Sequence, residues 1–119
     1  MTLNQENVQE LIKDFPLQPM FGKVIITLNN LEADGQLVLS DNVLSDVQYV
    51  LAKGTAVREI ELGQKVIIDI EKMMVPVKSE SNNAYEMQMQ VKIDPIQVGE
   101  NTFAIIEDRY IKCLDFRKD

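Results

Sequence analysis

Beyond Pro16 and Pro19 the chain breaks into short runs of Val, Ile, Leu, Met and Tyr, each stopped by a turn signal. Short strand runs separated by turn signals every 8–12 residues or so are the mark of a small barrel or sandwich. The runs are Lys23–Leu28, Gln48–Lys53, Lys65–Ile70, Met73–Lys78, Tyr85–Ile93, Thr102–Ile106 and Tyr110–Phe116. Breaks fall at Asp34-Gly35, Lys53-Gly54, Leu62-Gly63 and Val98-Gly99-Glu100-Asn101, and Ser79-Glu80-Ser81-Asn82-Asn83 reads as a polar hairpin tip. Two runs carry more detail. Lys65-Val66-Ile67-Ile68-Asp69-Ile70 is apolar almost throughout, as a strand covered on both faces would be. Tyr85, Met87, Met89, Val91 and Ile93 alternate with Glu86, Gln88, Gln90 and Lys92, which gives one apolar and one wet face. Met73 and Met74 fall opposite them in the expected hairpin, and core filling is the expected role of these methionines, with an adaptable partner surface as the alternative.

The single helical segment lies ahead of the two prolines, over Asn4–Asp14. Val8, Leu11 and Ile12 share one face, Asn4 is placed to cap the start, and Pro16 ends the pattern. Three turns are marginal in isolation, so this helix is expected to dock, on the domain in the first place and on a neighbouring subunit as the alternative.

At 119 residues there is room for one domain and one core, and a hydrophobic fraction of 45% fits a folded globule. No apolar run approaches the roughly 20 residues of a membrane-spanning helix. Met1–Asn7 lacks the basic start and apolar stretch of a secretory signal. The lone Cys113 has no partner within the chain for a disulfide, and a cytoplasmic setting is the simplest expectation. The net charge of −7 argues against sequence-independent binding to nucleic acid or anionic membrane, both of which draw on clustered Lys and Arg.

Catalytic chemistry finds little purchase. There is no histidine, the commonest general base and zinc ligand, and one Cys cannot build a thiolate zinc site. Phosphate-loop, dinucleotide and nucleophile-elbow motifs are missing from the sequence. Cys113, in the alternating stretch Tyr110–Leu114, reads as a small packed residue. Asp69 and Glu71 would share a strand face, as an acid/base pair, a cation site or two solvated carboxylates. The expectation is a protein that is not an enzyme and uses neither cofactor nor metal.

One segment stands apart. Between Lys23–Thr27 and Tyr49–Ala52 runs a polar connection, Asn29–Asp46, that holds the apolar triplet Leu37-Val38-Leu39 just after Gly35. Large aliphatic side chains gain nothing in a loop unless they bury against something. The triplet is therefore a candidate for docking on a partner; as an alternative it forms a short strand after an Asp-Gly turn.

Several stretches resemble GroES-type co-chaperonins. Leu62-Gly63-Gln64-Lys65-Val66-Ile67-Ile68 is similar to the family's V-G-D-x-V-hydrophobic stretch, and Pro16-Leu17 with Lys23-Val24-Ile25-Ile26 to its opening strand. Gly35-Gln36-Leu37-Val38-Leu39 resembles the Gly-Gly-Ile-Val-Leu of the mobile loop, and Gln48–Gly54 the strand that follows. Phe103–Ile111 resembles the closing strand pair. The blocks keep the family's order over roughly Lys23–Ile70 and Val98–Leu114. Departures are a roof hairpin cut to Thr55–Glu61, an added or lengthened hairpin over 71–93, a helical N-terminal extension over 1–15, and Asp34-Gly35 in place of a Gly pair. Such a pattern looks more like a divergent, phage-encoded relative than a standard cellular member.

The resemblance implies a single GroES-like domain over residues 1–119: a small, partly open β-barrel, mainly β, with a short N-terminal helix and a mobile loop over 29–46. It implies a homo-oligomeric ring, a heptamer, that caps a GroEL-type chaperonin in the cytoplasm (the bacterial host's, for a phage protein) and assists protein folding. Gly35, Leu37, Val38 and Leu39 would contact the chaperonin. The alternative is a non-enzymatic structural or assembly protein, such as a phage virion component, built on the same barrel.

Overall fold

A computed structural model describes residues 3–29, 44–78 and 87–117, the side chains of 77–78 and 87–90 excepted. The elements run α1 (Gln5–Lys13), β1 (Lys23–Thr27), β2 (Val47–Lys53), β3 (Lys65–Ile68), α2 (Ile70–Met73), β4 (Met74–Lys78), β5 (Met87–Val91), β6 (Asp94–Val98) and β7 (Asn101–Glu107). A 3-10 turn over Asp108–Tyr110 then leads into β8 (Ile111–Leu114). Six strands form one sheet in the order β6-β7-β1-β2-β3-β8, every neighbouring pair antiparallel, and β4 and β5 make a separate hairpin. The end strands β6 and β8 do not pair with each other, so the barrel stays open. The chain is mainly β with a short helix near its N-terminus, as the sequence predicts. No helix among the described residues is long and apolar enough to cross a membrane.

The bend of the sheet originates in β2. Its first half, Val47–Tyr49, pairs with β3, and its second half pairs with β1. The β1 register steps from Ile25 opposite Ala52 to Ile26 opposite Val50, which leaves Leu51 as an extra residue. A bulge of this kind bends the strand and increases its twist. One core lies on one face of the sheet, where Val24, Ile26, Val50, Val66, Ile68, Ala104 and Ile106 meet Val57, Ile60 and Met73. The second core joins Ile25, Tyr49, Leu51, Ala52 and Phe103 to Leu3 and Val8 of the N-terminal segment.

The helix docks on this second face, as expected. Asn4 and Asn7 cap its start reciprocally: Asn4 Oδ1 accepts from the Asn7 N–H at 2.9 Å, and Asn7 Oδ1 from the Asn4 N–H at 3.0 Å. Val8 is fully buried, and Phe15 meets Phe103 edge to face at 5.5 Å. Gln5 Nε2 donates to the Gly63 carbonyl at 3.0 Å. Gly63 has φ +82°, a left-handed conformation that glycine adopts without strain, and Gln9 of the helix lies over its open face.

Four sequence expectations change. The stretch Lys65–Ile70 is not one strand covered on both faces: Val66 and Ile68 are buried, whereas Lys65 and Ile67 are half-buried, and the strand stops at Ile68. The cover supplied by α1 falls on β2, whose central five residues are all buried. Asp69 then caps α2 by accepting from the Lys72 N–H at 3.3 Å, so Asp69 and Glu71 belong to a helical turn and share no strand face. Cys113 is exposed, not packed. Strand β8 is irregular against β3, with Cys113 opposite Ile67 and Ile111 opposite Ile68, so the expected alternation breaks at Lys112. Finally, β6 is a strand that the sequence reading passes over. Its Pro95 lacks a donor, which the outermost position in the sheet tolerates, and a two-residue turn at Gly99-Glu100 joins it to β7.

Candidate functional site

The sequence-predicted contact residues Gly35, Leu37, Val38 and Leu39 lie outside the described residues, as does the hairpin tip at 79–83. The two stems of the connection that carries the triplet are described, and they are tied together by a buried polar clamp. The β1–β2 ladder ends at Ile26–Val50, because beyond this point β2 turns away to pair with β3. Side chains replace the missing ladder bonds. Thr27 Oγ1 accepts from the Tyr49 N–H at 3.0 Å and donates to Gln48 Oε1 at 2.7 Å.

Gln48, with no exposed surface, is the centre of the clamp. Its Oε1 also accepts from the Asn29 N–H at 2.8 Å. Its Nε2 donates to the Asn29 carbonyl at 2.8 Å and to the Ser45 carbonyl at 2.7 Å. All four hydrogen-bonding positions of the amide are used, the condition under which burying one is tolerable. Only this orientation of the amide works, since the reverse would aim its NH₂ at the Asn29 N–H.

Two further ties close the base. The Ser45 N–H donates to the Asn29 carbonyl at 3.0 Å, and Ser45 Oγ accepts from the Val47 N–H at 3.1 Å. The Ile68 N–H donates to the Asp46 carbonyl at 2.8 Å, which joins the returning stem to β3. Asn29 reaches the other way. Its Oδ1 accepts from the Leu3 N–H and its Nδ2 donates to the Leu3 carbonyl, both at 2.8 Å. The N-terminal extension and the loop base are thus one hydrogen-bonded unit, buried at Leu3, Thr27, Asn29 and Gln48 and open to solvent at Asp46.

Sequence reasoning selects the triplet and passes over the residues that join the two stems. The available signal was polarity in the wrong place: Thr27 and Gln48 interrupt otherwise apolar runs at the two strand ends flanking the connection. A buried amide of this kind costs several kcal/mol unless it is matched, so its presence marks a built contact.

No family model and no curated protein matches the chain.

Proposed function

We propose that this protein is a non-enzymatic co-chaperonin subunit that presents Leu37, Val38 and Leu39 to a GroEL-type chaperonin from a tethered loop. The observation that carries this reading is the Gln48 clamp, which joins Asn29 to Ser45 and closes the base of the segment bearing the triplet. With the stems already joined, the closure entropy of the loop is spent in folding and not at docking. Burial of the three aliphatic side chains contributes roughly 1.5–3 kcal/mol each before costs. Ordering the segment takes several of those kcal/mol back, so each contact is weak and reversible. A ring multiplies weak contacts into useful avidity, with seven copies the number implied by the family resemblance.

The sheet supports self-association. Six strands in strict antiparallel order leave the two end strands running in opposite directions, so β6 of one copy can add to β8 of the next with antiparallel pairing. The same feature favours a second reading, in which the barrel is a structural or assembly subunit. Exposed Met20 (61%), Phe21 (70%) and Phe116 (76%) would then lie in subunit contacts. Val38→Asp separates the two: it abolishes chaperonin binding and leaves assembly intact if the triplet docks, and leaves any chaperonin binding unchanged if it does not.

A further inference from the structure

A cleft of about 450 Å³ opens where α2 and the β4–β5 hairpin meet β1, β7 and the 3-10 turn. None of the residues that line it belongs to the loop base. Among the described residues its walls carry four cations, Lys23, Lys72, Lys92 and Arg109, against two carboxylates, Asp94 and Glu107. With Asp69 beside Lys72 counted in, these described groups still leave a positive excess of one, the reverse in sign of the chain as a whole, which carries −7. Arg109 is paired with Glu107 and rests over the Tyr110 ring, 5.0 Å from its centroid, and Lys72 lies 3.8 Å from Asp69. Lys23 and Lys92 have no carboxylate partner among the described residues. The lining is otherwise apolar: Met73 and Ile106 are buried, and Val75, Ile93 and Ile105 are half-buried.

We propose that this cleft binds a small organic anion with an apolar body, its carboxylate held between Lys23 and Lys92 and its chain against Met73 and Ile106. The volume matches that of small-molecule sites, roughly 300–1,000 Å³ with mainly apolar walls and a few polar groups. Two open ammonium groups beside a low-dielectric wall concentrate positive potential where an anion would sit. A polyanion such as nucleic acid is disfavoured, because it would extend beyond the cleft onto the acidic remainder of the surface. A small anion feels only charges within about one Debye length, roughly 8 Å at physiological salt.

The test uses decanoate as probe, with decanol as its uncharged counterpart and inorganic phosphate as a head group without a body. Binding is followed by amide chemical shifts of the full-length protein at low salt. Saturable decanoate binding is expected, with shifts gathered at Lys23, Lys92, Ile106 and Tyr110, and weaker binding of both decanol and phosphate. Both lysines are exposed, so the K23Q/K92Q protein retains the fold and should bind decanoate about tenfold more weakly. Equal affinity for decanol, undiminished binding by K23Q/K92Q, shifts scattered elsewhere, or no saturable binding in the millimolar range would each overturn the assignment.

Discussion

Replacing Gln48 by Leu tests the clamp, because it keeps the side chain's bulk and removes its four hydrogen bonds. Those bonds contribute about 1 kcal/mol each net, or roughly 4 kcal/mol together. The leucine recovers about 1–2 kcal/mol by burying apolar surface in place of an amide. Two of the abandoned partners keep one bond: Thr27 Oγ1 still accepts from the Tyr49 N–H, and the Asn29 carbonyl from the Ser45 N–H. The Asn29 N–H has no other acceptor among the described residues. The net loss is therefore about 2–3 kcal/mol, which moves a urea midpoint by roughly 1.3–2 M if m is near 1.5 kcal/mol/M. Gln48→Glu should be worse at neutral pH, since its second oxygen would face the Asn29 and Ser45 carbonyls, and should partly recover in acid, where a protonated carboxyl can donate again. Urea unfolding, with hydrogen exchange at Asn29, Ser45 and Tyr49, reads both effects. A Gln48→Leu loss below about 1 kcal/mol, or exchange no faster at these amides than at Ile25, would refute the view that the amide closes the loop base.

Other consequences follow from separate parts of the fold. Gly54→Ala should destabilise by roughly 2–3 kcal/mol in urea unfolding, because its Cβ would overlap the Phe21 carbonyl, a backbone atom with little room to yield. Asn4→Ala should cost about 1 kcal/mol by opening the capping box, seen as a lower thermal midpoint. Asp115 gives a pH dependence. Hydrogen bonds from Arg117, Nε to Oδ1 at 2.9 Å and Nη2 to Oδ2 at 2.7 Å, hold its carboxyl well below the usual carboxylate range. A depressed folded-state value means the contribution is complete above the unfolded value, about 3.9, and is lost as pH falls below it. Wild type should thus exceed Asp115→Asn in stability at neutral pH, with the gap narrowing in acid; a gap independent of pH would contradict the pairing.

How much was legible depended on whether a residue's role was local. The α1 boundaries and the Asn4 cap could be read directly, because a cap and a following proline act within one turn of chain. The spacing of apolar runs placed β1, β2, β4 and β7 to within a residue or two. Strand β6 was hidden by Pro95, which argues against a strand until its edge position is known. Cys113 was misjudged because alternation assumes an unbroken ladder, and the irregularity opposite Ile67 and Ile68 exists only in the pairing with β3. Asp69 was misread for a related reason: a carboxylate after an apolar run is equally a strand residue and a helix cap, and the short α2 decides it. The clamp was the least legible part. Thr27 and Gln48 are 21 residues apart and acquire meaning only where the strands diverge, though their polarity within apolar runs was visible.

The most direct test of the central claim is sedimentation of the purified protein, alone and with a chaperonin double ring plus ATP or ADP. A ring of the protein that co-sediments with the chaperonin only when nucleotide is present, and that Val38→Asp releases, is the predicted result. A monomer, or an assembly indifferent to chaperonin and nucleotide, would contradict it.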